Sequence, residues 1–144
     1  RLIQLRKSKD KTEIDLIIKN CDVAFENPVS ERTIYPSLLE KIYKYGNVIY
    51  AWDEQAIGYC AFYVNDSENK NAYITLIAVN PIFQKMHIGK QLLNGCLQDA
   101  RKKEMKNCLL EVNKNNSNAI RFYRLHGFQV IENREETYLM KKKL

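Results

Sequence analysis

The chain has 144 residues, of which 45% are apolar and 28% are charged, and it is long enough to bury a core of its own, so one domain spanning residues 1–144 is predicted. No apolar run approaches the roughly 20 residues of a bilayer-spanning helix, so no membrane partner is expected. The four cysteines, Cys21, Cys60, Cys96 and Cys108, show no CxxC spacing, which argues against a metal site and favours free thiols in a reducing cytoplasm.

The net charge of +6 has two interpretations. The basic segments "RKKEMK" (Arg101–Lys106) and "KKK" (Lys141–Lys143) could bind nucleic acid. An acidic residue interrupts the first segment and the second ends the chain, which favours solvated ends of surface elements. Nucleic acid is therefore not expected as a partner, although a mild positive field favours any anionic ligand.

Hydrophobic periodicity predicts secondary structure along the whole chain. A first strand is predicted at Leu2–Leu5, followed by two amphipathic helices. The first, Asp10–Cys21, has the apolar stripe Ile14, Ile17, Ile18 and Cys21, and the second, Tyr35–Gly46, has the apolar face Leu38, Leu39, Ile42 and Tyr43 and ends with Gly46 at its C′ position. A later helix carries the stripe Leu92, Leu93, Cys96, Leu97 and Ala100. A β-hairpin is predicted from "NVIYAW" and "AIGYCAFYV", which flank the turn "DEQ". The remaining predicted elements alternate strand, helix, strand, helix, strand and strand, at Ala72–Val79, Ile88–Lys103, Asn107–Val112, Asn115–Gly127, Phe128–Asn133 and Thr137–Lys142. The order β-α-α-β-β-β-α-β-α-β-β predicts an α/β fold with a mixed central sheet of about seven strands and four helices on both faces.

The segment "VNPIFQKMHIGKQLL" (Val79–Leu93) joins a strand to a helix through a polar loop. The first N–H groups of a helix lack partners within the helix, and the helix dipole places partial positive charge there, so this junction could hold an anion. The loop matches neither of the glycine-rich phosphate-binding patterns, GxGxxG or GxxxxGKS. On these local features alone, an ordinary surface turn is the better interpretation.

Two segments together resemble the GNAT superfamily of N-acetyltransferases. That family carries Arg/Gln-x-x-Gly-x-Gly/Ala between its fourth strand and third helix, and Gln84, His87 and Gly89 fall on the three positions. Downstream, "NKNNSNAIRFYRLHGF" resembles the family's Asn-x-x-Ala-x-x-x-Tyr-x-x-x-Gly-Phe segment. The matching residues are Asn116, Ala119, Tyr123, Gly127 and Phe128. The element order fits the family over essentially the whole chain, while the first 60 residues match in pattern only.

The resemblance implies a GNAT fold and acetyl-CoA as the cosubstrate, with no metal. The diphosphate of CoA would rest mainly on backbone N–H groups of the loop, formed by Gln84, Lys85, Met86, His87, Ile88, Gly89 and Lys90. The pantetheine arm would lie along Ile77, Ala78 and Val79, where the family's two central parallel strands splay apart, with Asn116 and Ala119 beside it.

His87 departs from the family's usual glycine at that position. Glycine lets the backbone approach a phosphate and adopt positive φ freely, but histidine tolerates left-handed φ better than most residues. The imidazole could donate a hydrogen bond to a phosphate, or it could point into solvent.

Two residues are candidates for the chemistry. Tyr123 occupies the family's position for the acid that protonates the CoA sulfur, and a phenol with a pKa of about 10 stays protonated at neutral pH. Its alternative role is to fill the core beside Phe122 and Phe128. Glu111 is the candidate base, acting directly or through water, and strand alternation could instead place it on a solvent face. Asn116 would cap its helix and touch the CoA arm.

The acceptor is expected to be shaped by Val23–Tyr45 and by Ile131–Tyr138. A small-molecule amine is the favoured acceptor, with an amino sugar as a specific guess. The alternatives are a protein N-terminus or lysine, and a non-catalytic module that binds acyl-CoA or RNA. The final strands could pair across a homodimer.

Overall fold

The computed structural model describes residues 3–144. Seven strands form one sheet in the order β1-β2-β3-β4-β5-β7-β6, in which only β4 and β5 run parallel. The strands are β1 Gln4–Ser8, β2 Asn47–Trp52, β3 Ala56–Tyr63, β4 Asn71–Val79, β5 Asn107–Asn113, β6 Gln129–Asn133 and β7 Thr137–Lys143. The predicted mixed sheet of seven strands is confirmed.

The described residues contain four α-helices, as predicted. They are α1 Lys11–Asn20, α2 Tyr35–Tyr45, α3 Ile88–Lys102 and α4 Ser117–Leu125. Three short 3-10 helices were not predicted, at Asp22–Ala24, Val29–Glu31 and Pro81–Met86. Each is only three to six residues long, so none carries an amphipathic period that could be read from the sequence.

The predicted position of the first strand is wrong. It was predicted at Leu2–Leu5, but β1 runs from Gln4 to Ser8, and Leu2 lies outside the described residues. Pairing with β2, from Gln4 opposite Trp52 to Ser8 opposite Val48, defines this strand. Because β1 is an edge strand with mostly exposed side chains, hydrophobic patterning does not locate it.

Helices cover both faces of the sheet and bury two clusters. On one face α1 contributes the predicted stripe of Ile14, Ile17, Ile18 and Cys21, all at most 3% exposed. On the other face α3 contributes its predicted stripe of Leu92, Leu93, Cys96, Leu97 and Ala100. The stripe predicted for α2 is only partly correct, because Leu39 and Ile42 are buried while Tyr43 is 42% exposed.

Gly46 ends α2 where a helix stop was predicted, but its role is steric. Its φ of −101° is not left-handed. A Cβ at this position would lie 2.9 Å from the carbonyl oxygen of Ile42 and 3.2 Å from the ring of Tyr63. Glycine is therefore required here because β3 packs closely against the end of α2.

The sheet opens between its two parallel strands. β4 and β5 pair only from Asn71 opposite Asn107 to Ile74 opposite Leu110. At that point β4 takes two steps, from Ile74 to Leu76, while β3 takes one, so Thr75 is the extra residue of a β-bulge. Beyond the bulge β4 follows β3 and β5 follows β7, so the two parallel strands diverge. Ligands of α/β sheets bind outside the carboxyl ends of parallel strands, which places the candidate site at this opening.

Within residues 3–144, no helix is long and apolar enough to cross a membrane. The same residues hold no cluster of three or more His, Cys, Asp or Glu side chains arranged to bind a metal ion.

Candidate active site

A cleft with a volume of about 500 Å³ occupies the opening between β4 and β5. Four parts of the chain form its walls. They are β4 from Ile74 to Ile77, β5 from Leu110 to Asn113, the α4 residues Ala119 and Tyr123 with the cap residue Asn116, and the Phe25, Asn27 and Arg32 side of the segment between α1 and α2. The cleft is thus lined by both faces of the sheet and by the connection after α1.

Tyr123 reaches the cleft from the face of the sheet that carries α3 and α4. It belongs to the same buried cluster as Leu110 and Val112 and is 7% exposed. Its ring makes edge-to-face contacts with Phe122 and Phe128, at centroid distances of 5.5 and 5.7 Å. Burial raises the pKa of the Tyr123 phenol, so the hydroxyl is protonated at neutral pH. Tyr123 is therefore both a packed core residue and a wall of the cleft.

Glu111 reaches the cleft from the opposite face, because side chains alternate along β5 and its neighbours Leu110 and Val112 point toward α3 and α4. Thr137 Oγ1 donates a hydrogen bond to Glu111 Oε2 at 2.6 Å, and Arg134 Nη1 donates to the same oxygen at 2.9 Å. These two donors hold the pKa of the Glu111 carboxyl below its usual range. Glu111 is therefore a carboxylate at neutral pH, with one oxygen engaged by two donors.

Arg134 joins this carboxylate to the turn between β6 and β7. Its Nε donates to Glu132 Oε1 at 2.8 Å while its Nη1 holds Glu111. The two carboxylates raise the pKa of Arg134, which is charged in any case. The turn predicted to shape the acceptor site is thus tied directly to the cleft.

The loop before α3 presents a helix N-terminus beside the end of β4. His87 adopts φ +58° and ψ 26°, the left-handed conformation that its position required, and its side chain is exposed. The hydrogen bond from Gln91 N–H to the His87 carbonyl, at 3.2 Å, begins the helical pattern. The N–H groups of Ile88, Gly89 and Lys90 precede that bond and point out of the helix end.

A side chain larger than that of glycine would fit at position 89 without crowding. A Cβ at Gly89 would make ordinary contacts of 3.6 Å with the ring of Phe122 and 3.8 Å with Val79. Its backbone is helical, so neither crowding nor positive φ demands glycine. The same contacts show that the helix end lies against the last residue of β4 and the residue before Tyr123.

The structure brings some of the predicted site residues together and leaves others at a distance from the cleft. Ile77, Glu111, Asn116, Ala119 and Tyr123 line it. Asn116 also caps α4, since its side-chain oxygen accepts the Ala119 N–H at 3.1 Å.

The other predicted residues lie outside the cleft lining. The loop from Gln84 to Lys90 flanks the end of β4, and Val79 contacts it at Gly89. Ala78 points away from the α3 side and is buried with α1 and α2.

Several residues of the site were not identified from the sequence. Thr75 and Arg134 are the clearest cases, since the first forms the bulge that opens the sheet and the second holds Glu111. The polar residue Thr75 inside the otherwise apolar run "AYITLIAV" is the sequence feature that could have indicated the bulge. Arg32 was also missed. It donates to the Asn27 carbonyl at 3.1 and 3.0 Å and stacks on Phe25, so this wall of the cleft is internally braced.

A mixed sheet opened between its two parallel strands, with a helix N-terminus at the end of the opening, is the architecture that the sequence resemblance implies for acetyltransferases. The profile of the Acetyltransferase (GNAT) family matches residues 17–128, and the chain belongs to this family. It is therefore an acyltransferase that uses acetyl-CoA, which confirms the predicted class and cosubstrate.

Individual relatives are more distant. The chain is 27% identical over 117 residues to a candidate ribosomal protein bS18-alanine N-acetyltransferase of Bacillus subtilis (strain 168), covering 81% of this chain and 75% of that protein. The ribosomal-protein-S18-alanine N-acetyltransferase from Escherichia coli superposes with a TM-score of 0.83 at 17% identity, over 99% of this chain and 94% of that one. PaiA N-acetyltransferase from Thermoplasma acidophilum, in complex with coenzyme A, gives 0.79 at 19% identity over 100% of both chains. These two structures establish the shared fold.

Proposed function

We propose that the chain transfers the acetyl group of acetyl-CoA to the α-amino group of a protein. The observation that carries the reaction is the opening between β4 and β5, which Glu111 and Tyr123 enter from opposite faces of the sheet. The amine would approach from the Glu111 side and the thioester from the Tyr123 side. The two substrates would then meet across the sheet with the reacting atoms held between an anion and a proton donor.

The N-terminus of α3 is suited to binding the diphosphate of CoA. Three outward N–H groups, at Ile88, Gly89 and Lys90, are available to an anion, and the helix dipole favours negative charge there. From Thr75 to Val79, β4 has no pairing with β5, so its backbone is free to bind the amides of the pantetheine arm along Ile77, Ala78 and Val79. Asn116 and Ala119 would flank the arm from α4.

Tyr123 supplies the proton that the departing thiolate requires. As the amine nitrogen bonds to the thioester carbon and the C–S bond breaks, the phenol donates its proton to the sulfur. Its raised pKa keeps that proton in place until the transfer. The N-protonated amide then loses its proton, which returns through solvent to the phenolate and restores the phenol, so the protein returns to its starting state.

Glu111 has a different part. An α-amino group has a pKa of about 8, and the Glu111 carboxyl lies well below that value, so the carboxylate is a weak proton acceptor for an ammonium. It is well suited to attract the ammonium and orient it toward the opening. We infer that the ammonium proton leaves to water beside Glu111, and the neutral amine attacks.

The proposal of a protein as the acceptor rests on the relatives. The two ribosomal-protein-alanine N-acetyltransferases act, by name, on the amino group of a protein, and one of them shares 27% identity with this chain over most of its length. The small-molecule acceptor expected from the sequence stays a prediction, and no feature of the cleft singles out an amino sugar. The non-catalytic alternative is disfavoured because the tyrosine, the loop and the open sheet are all present.

A three-acceptor assay tests this function. The protein would be incubated with acetyl-CoA and one of three acceptors: a peptide with a free N-terminal alanine, the same peptide with a blocked N-terminus and an internal lysine, or glucosamine. We expect mass spectrometry to detect acetylation of the first peptide only. Tyr123→Phe should lower the rate, whereas Tyr50→Phe, a matched loss of a hydroxyl from a buried tyrosine outside the cleft, should not. Acetylation of glucosamine alone would overturn the protein acceptor, and binding of acetyl-CoA without any transfer would favour the non-catalytic module.

A further inference from the structure

A second pocket lies on the same face of the sheet as Glu111, at the other end of the parallel strands. It has a volume of about 310 Å³, near the lower limit of small-ligand sites. Its walls come from β3 at Tyr63, from β4 at Tyr73, from β5 at Leu109 and from α2 at Lys41 and Tyr45. We call it the tyrosine pocket.

Most of the exposed lining surface of the tyrosine pocket is apolar, although the lining is mixed. The aromatic and aliphatic residues are Tyr45, Tyr63, Tyr73, Ala72 and Leu109, and the polar or charged residues are Lys41, Asn65, Asp66 and Asn71. Tyr63 is 8% exposed, whereas Tyr45 is 60% exposed and stands at the mouth. Lys41 places its Nζ 5.1 Å from the centre of the Tyr63 ring. Large exposed aromatic surface beside a buried aromatic wall is a common feature of binding surfaces, because it can be covered at low entropic cost.

The pocket lies close to the active-site cleft, although the two cavities share no lining residue. Tyr73 pairs with Leu109 in register, and Glu111 lies two residues further along β5 on the same face. At a rise of about 3.3 Å per residue, Glu111 is roughly 7 Å from the pocket wall. The charge of Glu111 also contributes to raising the pKa of Tyr73, as expected for neighbouring groups.

Tyr63 forms the boundary between the two cavities. It lines the pocket, while Thr75 lines the cleft, and the Thr75 side chain tends to lower the pKa of Tyr63 against the larger effect of burial. The Tyr63 hydroxyl is buried, so Tyr63 acts as part of this wall and does not offer a hydrogen-bonding group that a ligand could reach.

We infer that the tyrosine pocket receives an apolar side chain from the second or third residue of the polypeptide acceptor and thereby sets its sequence preference. This inference rests on the proposed protein acceptor. An extended peptide advances about 3.3 to 3.6 Å per residue, so an α-amino group beside Glu111 puts the second or third residue at the pocket. Burial of a leucine or phenylalanine side chain there should favour such peptides about 10- to 100-fold in kcat/KM over the same peptide with serine.

Paired peptides and paired variants test the inference. Alanine-starting peptides that carry leucine, phenylalanine or serine at the second and third positions would compete for acetylation by the wild type, by Tyr45→Ala and by Tyr43→Ala. Tyr45→Ala removes an exposed wall of the pocket, and Tyr43→Ala removes an exposed tyrosine of the same helix that lines neither cavity.

We expect the wild type and Tyr43→Ala to share the apolar preference, and Tyr45→Ala to lose most of it by slowing only the apolar peptides. Equal acetylation of all peptides, or a preference that Tyr45→Ala leaves intact, would overturn the pocket assignment while the acceptor class survives. Absence of acetylation of every peptide would overturn the protein acceptor and the pocket assignment together.

Discussion

Replacing Gly89 with aspartate should move stability and cofactor affinity in opposite directions. Gly89 is the second residue of α3, its backbone is helical, and an added Cβ would meet Phe122 at 3.6 Å and Val79 at 3.8 Å without crowding. A carboxylate in the first turn of a helix is favoured by the helix dipole by about 0.3 to 1 kcal/mol. The unliganded protein should therefore become slightly more stable.

The same carboxylate would lie at the helix start where the diphosphate of CoA is proposed to bind. If repulsion removes one charge-assisted hydrogen bond, the loss is about 1.5 to 3 kcal/mol, which corresponds to a roughly 10- to 100-fold weaker Kd for acetyl-CoA. Calorimetric titration gives the affinity, and urea unfolding without ligand gives the stability. Asn94→Asp is the matched control, because it adds the same charge at an exposed position of the same helix away from its start.

The result that would refute this reasoning is a stabilised Gly89→Asp protein that binds acetyl-CoA as tightly as the wild type. The start of α3 would then not be the diphosphate site. Weaker binding by a destabilised protein would be equally damaging, because a general disturbance of the fold would explain it. Gly89→Ala should bind acetyl-CoA about as tightly as the wild type, because the family pattern accepts alanine at this position and the added Cβ would contact Phe122 and Val79.

Three further predictions concern the two candidate residues of the chemistry. Tyr123→Phe should reduce kcat about 100- to 10,000-fold with a nearly unchanged Kd for acetyl-CoA, measured by CoA release and calorimetry, and an unchanged kcat would exclude Tyr123 as the acid. Arg134→Ala should raise the pKa of Glu111 by removing one of its two donors, so the acidic limb of the pH profile of kcat/KM should move to higher pH, whereas an unmoved limb would separate Glu111 from that limb. Because the pKa of Glu111 is depressed in the folded state, its ionisation stabilises the fold above the unfolded pKa of about 4.3, and this contribution is lost as pH falls through the lower folded value. Urea unfolding of the wild type and Glu111→Gln should therefore differ most near neutral pH and converge in acid, and a constant difference would contradict the assigned donors.

Local patterns in the sequence were sufficient for most of the fold. Helices α1 and α3 are 10 and 15 residues long and amphipathic, so their buried faces could be predicted residue by residue. Asn116 as the cap of α4 followed from short-range chemistry between Asn116 and Ala119. Strand β1 was predicted at the wrong position because its limits come from pairing with residues 40 to 48 positions away.

The parts of the site that the sequence did not reveal depend on long-range register. The bulge at Thr75 exists only relative to β3, and the contact of Arg134 with Glu111 joins residues 23 positions apart. Neither is encoded in a local period. The left-handed backbone at His87 is an intermediate case, because the family pattern marked the position and the tolerance of histidine for positive φ explained how it could be filled.

The bulge also explains how a proton donor, Tyr123, and a carboxylate, Glu111, can both reach the same site. Without the extra residue at Thr75, β4 and β5 would stay paired, and Glu111 and Tyr123 would be separated by a closed sheet. With it, the sheet itself divides the site, since Tyr123 belongs to the cluster of α3 and α4 and Glu111 lies in the open on the other face. A buried phenol that keeps its proton and an exposed carboxylate that has lost its own require such different surroundings. An opening through the sheet provides both within one cleft, and it leaves the Glu111 face accessible to an acceptor as large as a protein.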